Sequence, residues 1–136
     1  MKFRQYLIEQ DKITKTDLNN IEKWADALFK AVGIDVEFTK HFLKRVNDTR
    51  NREQITFKEL TQMFRDTYKK HGRKIPELGP KAEAVIKDMI SDINMPFVLQ
   101  WDRKNQELDL IAKTIMRKKN FKTSNRVLRV GDNRSK

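Results

Sequence analysis

The sequence contains no cysteine. That excludes a disulfide framework and thiolate metal sites, and it fits a reducing compartment. Histidine is nearly absent too, with only His41 and His71. There is no HExxH pair, no EF-hand loop and no His/Asp cluster at ligand spacing, so neither a metal nor a cofactor is expected. The four glycines and three prolines fall in no phosphate-loop or dinucleotide pattern. No apolar run approaches the roughly 20 residues a membrane span needs. The opening Met1-Lys2-Phe3-Arg4-Gln5-Tyr6-Leu7-Ile8-Glu9 is too short and too charged for a secretory signal. These absences predict a soluble, cytoplasmic protein. Low-complexity tracts and internal repeats are also lacking.

What the chain has in excess is positive charge. Its 136 residues carry a formal net charge of +11. From Lys113 to Lys136 there are nine Lys and Arg against one Asp, so +8 of the excess lies in the last 24 residues. Such asymmetry predicts a basic face or tail for a phosphate-rich partner, with RNA expected ahead of DNA. An acidic protein partner or inhibitor would meet the same surface. A basic surface that only aids solubility is the plainer alternative.

The length suits one domain. Residues 1–15 read as an arm, with Phe3, Tyr6, Leu7 and Ile8 able to dock as one helical turn. A helix is expected to open at Thr16 or Asp17 and to stop at Gly33. Leu18, Ile21, Trp24, Ala25, Leu28 and Val32 recur along it at helical spacing. Trp24 on that stripe reads as core. A second helix is expected from Asp35 to about Asp48, with Phe38, Phe42, Leu43 and Val46 on its apolar side. Asn47 to Arg52 reads as a loop. The third helix has the clearest local signal. Thr56-Phe57-Lys58-Glu59 is a capping box, Ile55 and Leu60 form a staple, and Gly72 stops the helix after Lys69-Lys70-His71. A fourth helix is expected from about Gly79-Pro80 to Ile93, with Ala82, Val85, Ile86, Met89 and Ile93 as its stripe.

The period then changes. Phe97–Trp101 and Leu108–Met116 read as an antiparallel hairpin around the turn 102–107, and Val127–Val130 as a third strand. Alternation puts Asp109, Lys113 and Arg117 on one side of the long strand. Residues 131–136 read as a loose tail. The expected fold is therefore α+β, with about four N-terminal helices followed by a small antiparallel meander over 16–130.

Two constellations invite chemistry. His41 shares a helix face with Arg45, and Arg50 and Arg52 follow in the loop. A proton carrier beside fixed positive charge suits phosphodiester cleavage. A solvated surface His is the alternative, and His71 reads as a helix-end residue facing the dipole. The second constellation is Lys113, Thr114, Arg117, Lys118, Lys119, Phe121 and Lys122, with Arg126 and Arg129 beyond. Cations with an interleaved ring suit a single strand, and a solvated basic edge strand is the alternative. Acid/base pairs are diffuse: Glu107 and Asp109 flank the hairpin turn, and nothing in the sequence brings them near His41.

The stretch His41-Phe42-Leu43-Lys44-Arg45-Val46-Asn47-Asp48, the capped helix and the hairpin resemble proteins of tailed phages that infect marine cyanobacteria. The order of parts, a His-x-x-x-Arg helix, another helix and an antiparallel meander, also resembles the barnase, colicin D and RelE-like ribonuclease superfamily. That resemblance covers about residues 37–130. It implies a metal-independent, toxin-like endoribonuclease acting in the host cytoplasm, with His41, Arg45, Lys113, Thr114 and Arg117 catalytic. Arg50, Arg52, Lys118, Lys119, Phe121, Lys122, Arg126 and Arg129 would hold the nucleic acid. The chain departs from the superfamily in having no late histidine on its last strand. The competing reading is a non-catalytic nucleic-acid-binding accessory or virion protein.

Overall fold

A computed structural model describes residues 12–132. The arm residues 1–11 and tail residues 133–136, with the expectations attached to them, lie outside the described residues.

Helix α1 spans Lys15–Phe29, one or two residues earlier than Thr16 or Asp17 suggests, because Thr14 is the cap. Its Oγ1 accepts from Asp17 N at 3.0 Å, and Asp17 Oδ2 accepts from Thr14 N at 3.0 Å. Leu18, Ile21, Ala25 and Phe29 are buried, and Trp24 packs partly buried beside them with Arg65 over its ring. After a 3-10 turn at Lys30–Val32, Gly33 takes φ 74°, a left-handed conformation that favours glycine.

The chain then departs from the expected second helix. Ile34–Phe38 is a strand, β1, and only Phe42–Val46 is helical, as the single-turn α2. The sequence Ile34-Asp35-Val36-Glu37-Phe38 alternates apolar and acidic residues, which is the strand period. The helical spacing of Phe38, Phe42, Leu43 and Val46 masked it. Helix α3, Phe57–His71, forms as expected. Thr56 and Glu59 make the reciprocal capping bonds, each at 3.0 Å, and Leu60, Met63, Phe64 and Thr67 are buried.

The expected fourth helix is also a strand. Glu83–Asp88 is β2, and Ile93–Asp102 is β3, joined by a turn in which Met89 and Ile90 are exposed. Ala84, Val85 and Ile86 are all buried. An unbroken apolar run of this length does not distinguish helix from strand, and β2 is continuous because it has a strand on each side. Strand β4 is Glu107–Ala112, β5 is Met116–Arg117 and β6 is Arg126–Val130.

The six strands form one sheet of order β1-β4-β3-β2-β6, with β5 continuing beside β3. It is mixed and not an antiparallel meander: β1 pairs parallel with β4, and β2 parallel with β6. The expected hairpin is present as β3–β4. Ile34 and Val36, Leu108 and Leu110, Phe97 and Leu99, Ala84 and Ile86, and Leu128 and Val130 line one face and share a core with Phe29, Phe42 and Phe64. The register puts Asp35, Glu37, Asp109, Gln100, Val98, Val85 and Lys87 on the other face.

Proline 96 explains a break in the long strand. Its carbonyl accepts from Lys113 N at 2.9 Å, so its nitrogen, which has no hydrogen, also faces the β4 side. There β4 ends at Ala112 and β5 resumes at Met116. The intervening residues bulge and reset the alternation, so that Ile115 is buried and Arg117 stands beside the core residue Ile93. Lys113 and Arg117 consequently leave the strand on opposite faces, not on one.

Candidate nucleic-acid interface

The bulge decides the environment of Arg117. Its side chain is 13% exposed and ion-paired with Glu59, with Nη2 to Oε1 at 2.8 Å and Nη1 to Oε2 at 3.1 Å. The remaining donors meet main-chain carbonyls of Glu53, Gln54 and Ser91 at 3.0–3.3 Å. All five guanidinium N–H groups thus have acceptors inside the protein. Lys113, on the other face, pairs with Glu83 at 3.0 Å. Thr114 is half-buried in the bulge.

His41 lies exposed before α2. Its segment does reach the bulge, since Thr39 Oγ1 donates to the Lys113 carbonyl at 2.8 Å. Arg45 and Arg50 both turn to Asp48, at 3.7 and 2.9 Å, and hold its carboxyl down at about 2. Arg52 is exposed in a left-handed conformation, φ 67°. A hollow beside α2 is lined by Lys40, Leu43, Lys44, Asn47 and Asp48, and by none of the expected catalytic residues. The structure therefore brings the His41 segment beside Lys113 and Thr114, while Arg45, Arg50, Lys113 and Arg117 are engaged with carboxylates.

The remaining basic residues have a different fate. Lys118, Lys119 and Lys122 lie exposed in the connection from β5 to β6, and Phe121 is half-buried there. Arg126 and Arg129 are exposed on β6, which is an edge strand. None of these five cations enters an ion pair among the described residues. The sheet edge also meets the C-terminal end of α3, where His71 Nε2 contacts the Arg129 carbonyl at 2.9 Å. That bond joins two basic stretches some 58 residues apart in the chain. Lys69, Arg73 and Lys74 are exposed at this corner, and Lys70 pairs with Asp132 at 2.7 Å. Buried Gly72 makes the corner, because a Cβ there would strike the Tyr68 carbonyl. An adjoining hollow of about 450 Å³ is lined by Val32, Tyr68, Lys69, Lys70, Gly72, Arg73 and Lys74. In the sequence, Lys69-Lys70-His71 reads only as the end of the third helix, and nothing there joins this corner to the last strand. Its only signal was the density of Lys and Arg.

The opposite edge of the sheet is acidic. Asp26 of α1 accepts from Val36 N, and Glu22 accepts from Phe38 N at 3.2 Å, so α1 satisfies the free edge of β1 with carboxylates. Asp35 stands in register with Asp109, and Asp102 with Glu107. Burial, reinforced by the neighbouring acids, raises Asp26 and Glu37 to about 7 and also pushes Asp109 and Glu107 up. Glu37 and Asp109 are in hydrogen-bonding contact, which two carboxyls make by sharing a proton.

Among the described residues, no helix is long and apolar enough to cross a membrane. Compared with known proteins, the chain matches no family model, no curated protein and no solved structure.

Proposed function

We propose that this protein binds nucleic acid, through the basic edge formed by β6 and the end of α3. The observation that carries the reading is the contact between His71 and the Arg129 carbonyl, which brings the exposed Lys69, Arg73 and Lys74 to the edge strand that carries Arg126 and Arg129. These side chains are exposed and free of carboxylate partners among the described residues. Unpaired cations release counterions from a phosphate backbone when they bind, whereas cations already neutralised by carboxylates add little. Lys118, Lys119 and Lys122 extend the supply of charge along the connection into β6. Tyr68 in the adjoining hollow offers a ring to a base.

The test is binding of a single-stranded RNA and a single-stranded DNA across a salt series. Log affinity is expected to fall linearly with log salt, with a slope near −0.7 for each phosphate contact. Replacing Lys69, Arg73 and Lys74 by Ser should reduce the magnitude of that slope by about 2. Affinity indifferent to salt, or unchanged in the triple variant, would overturn the proposal. Capture of an acidic protein with no nucleic-acid affinity would do the same.

A second reading, metal-independent RNA cleavage, is favoured by the bond from Thr39 to Lys113, which sets His41 near Lys113 and Thr114. It assigns proton transfer to His41 and leaves Arg117 a structural role. RNA incubated in EDTA should then yield 2′,3′-cyclic phosphate ends that disappear in His41→Ala. Intact RNA at high protein concentration would dismiss it.

A further inference from the structure

Large apolar side chains are rare on the surface, and two of them are neighbours. Among the described residues the exposed ones are Phe57, Met89, Ile90 and Trp101. Met89 is 42% exposed and Ile90 50%, and together they form the tip of the β2–β3 turn. The sequence expects Met89 on the core stripe of a fourth helix; in the structure neither side chain belongs to the core. Single exposed apolar residues are ordinary. An adjacent pair on a turn is different, because turns favour Gly, Asn, Asp and Ser.

The turn does not depend on these two side chains. Asp88 Oδ1 accepts from Ile90 N at 3.0 Å, and the Asp88 carbonyl accepts from Asp92 N at 3.0 Å. Met89 N donates to the Val130 carbonyl at 2.8 Å, which ties the tip to the end of β6. On the other flank Lys118 N donates to the Asp92 carbonyl at 2.9 Å, and Arg117 Nη1 to the Ser91 carbonyl at 3.0 Å. The apolar pair therefore stands outward on a braced backbone, and cations surround it. Lys87 and Arg129 are register partners, and Met89 follows Lys87 by two residues, the spacing that keeps one face of a strand. Lys118 and Lys119 are exposed on the opposite flank. None of these four cations is in an ion pair among the described residues. Of the acids in the turn, Asp88 is buried and Asp92 half-buried.

An apolar tip among cations fits a partner that is anionic outside and apolar within, which a nucleic-acid duplex and a lipid surface both are. Position favours the duplex. Arg129 stands beside the tip and also on the basic edge proposed above, so the tip continues that edge. Two half-exposed side chains also make a small membrane anchor, since even one whole acyl chain holds only marginally. Met and Ile have no donor for a base edge and no ring to stack on a base. Side chains of this kind act on a duplex by entering a base step and unstacking it. We propose that Met89 and Ile90 form a wedge that enters a base step of a nucleic-acid duplex, while Lys87, Arg129, Lys118 and Lys119 hold the phosphates on either side. The inference rests on the nucleic-acid reading and adds to it the class of substrate, a base-paired duplex.

The test mixes the full chain with a DNA duplex carrying 2-aminopurine in a central TA step, a step that kinks and unstacks easily, or with an RNA duplex of the same sequence. Stacking quenches the fluorescence of 2-aminopurine, so the signal should rise as the native chain saturates the duplex. A rise in either duplex supports the wedge and shows whether DNA or RNA receives it. The double variant Met89→Ser, Ile90→Ser should bind with the same salt slope, because it removes no cation, and should lose the rise. Met89→Leu with Ile90→Leu should keep the rise, since apolar bulk is what enters the step. Matching Tm values by circular dichroism establish that the variants are folded. Binding without a rise overturns the wedge and leaves the basic edge standing. No binding to either duplex overturns both. A rise retained in the serine variant overturns the wedge, as does binding to phosphatidylserine vesicles with no rise on either duplex.

Discussion

Arg117 shows how one side chain changes meaning with its surroundings. In the sequence it is one cation in a basic run; in the structure its guanidinium donates to Glu59, Ser91, Gln54 and Glu53. Arg117→Ala would leave Glu59 and three carbonyls short of a partner and should cost about 3 kcal/mol in urea unfolding. Arg117→Lys should not restore it, because an ammonium cannot reproduce the planar fork. Asp26 offers a pH test at the same scale. Its carboxyl is raised from 3.8 to about 7 in the folded chain, first by burial. Between those values the folded state holds a proton that the unfolded chain has released. Stability contributed by this group is therefore present below about pH 4 and lost as pH rises towards 7. Glu37, raised from 4.5 to about 7, acts in the same direction. In EDTA the urea midpoint should fall across this window, and Asp26→Asn should flatten the fall while keeping an acceptor for Val36 N. An unchanged pH profile in the variant would refute the assignment.

At the scale of elements, local signals with their own chemistry were legible. The capping box at Thr56 and Glu59 is written within four residues and appears as read. Thr56→Ala should cost about 1 kcal/mol in the same unfolding assay. A loss well above that would show that Glu59, freed from the cap, also loosens Arg117. The box at Thr14 and Asp17 is equally local, and it starts the helix ahead of the expected Thr16 or Asp17. Elements whose identity depends on neighbours differ from the sequence expectation. Ile34–Phe38 is a strand because β4 pairs with it, and Glu83–Asp88 because β3 and β6 flank it. Its apolar run fits either period, so only the partners decide. The missing hydrogen of Pro96 faces β4 where the strand bulges, a consequence that shows only once the pairing is known.

Across the whole molecule, charge is sorted by strand order. The β6 edge, joined to the end of α3, is basic, and the β1–β4 edge is acidic. Net charge and the C-terminal excess were visible in the sequence, and they remain the basis of the proposed nucleic-acid binding. Their division into paired and unpaired cations was not. The salt-slope experiment addresses the basic edge.

Composition, the capping boxes, the hairpin and the α+β class follow from the sequence, because each depends on residue type or on neighbours a few positions away. Tertiary structure alone decided the mixed sheet, the inward turn of Arg117 and the meeting of Asp35 with Asp109. These rest on pairing between strands far apart in the chain. A one-residue change of alternation at the bulge is enough to exchange which face a side chain occupies.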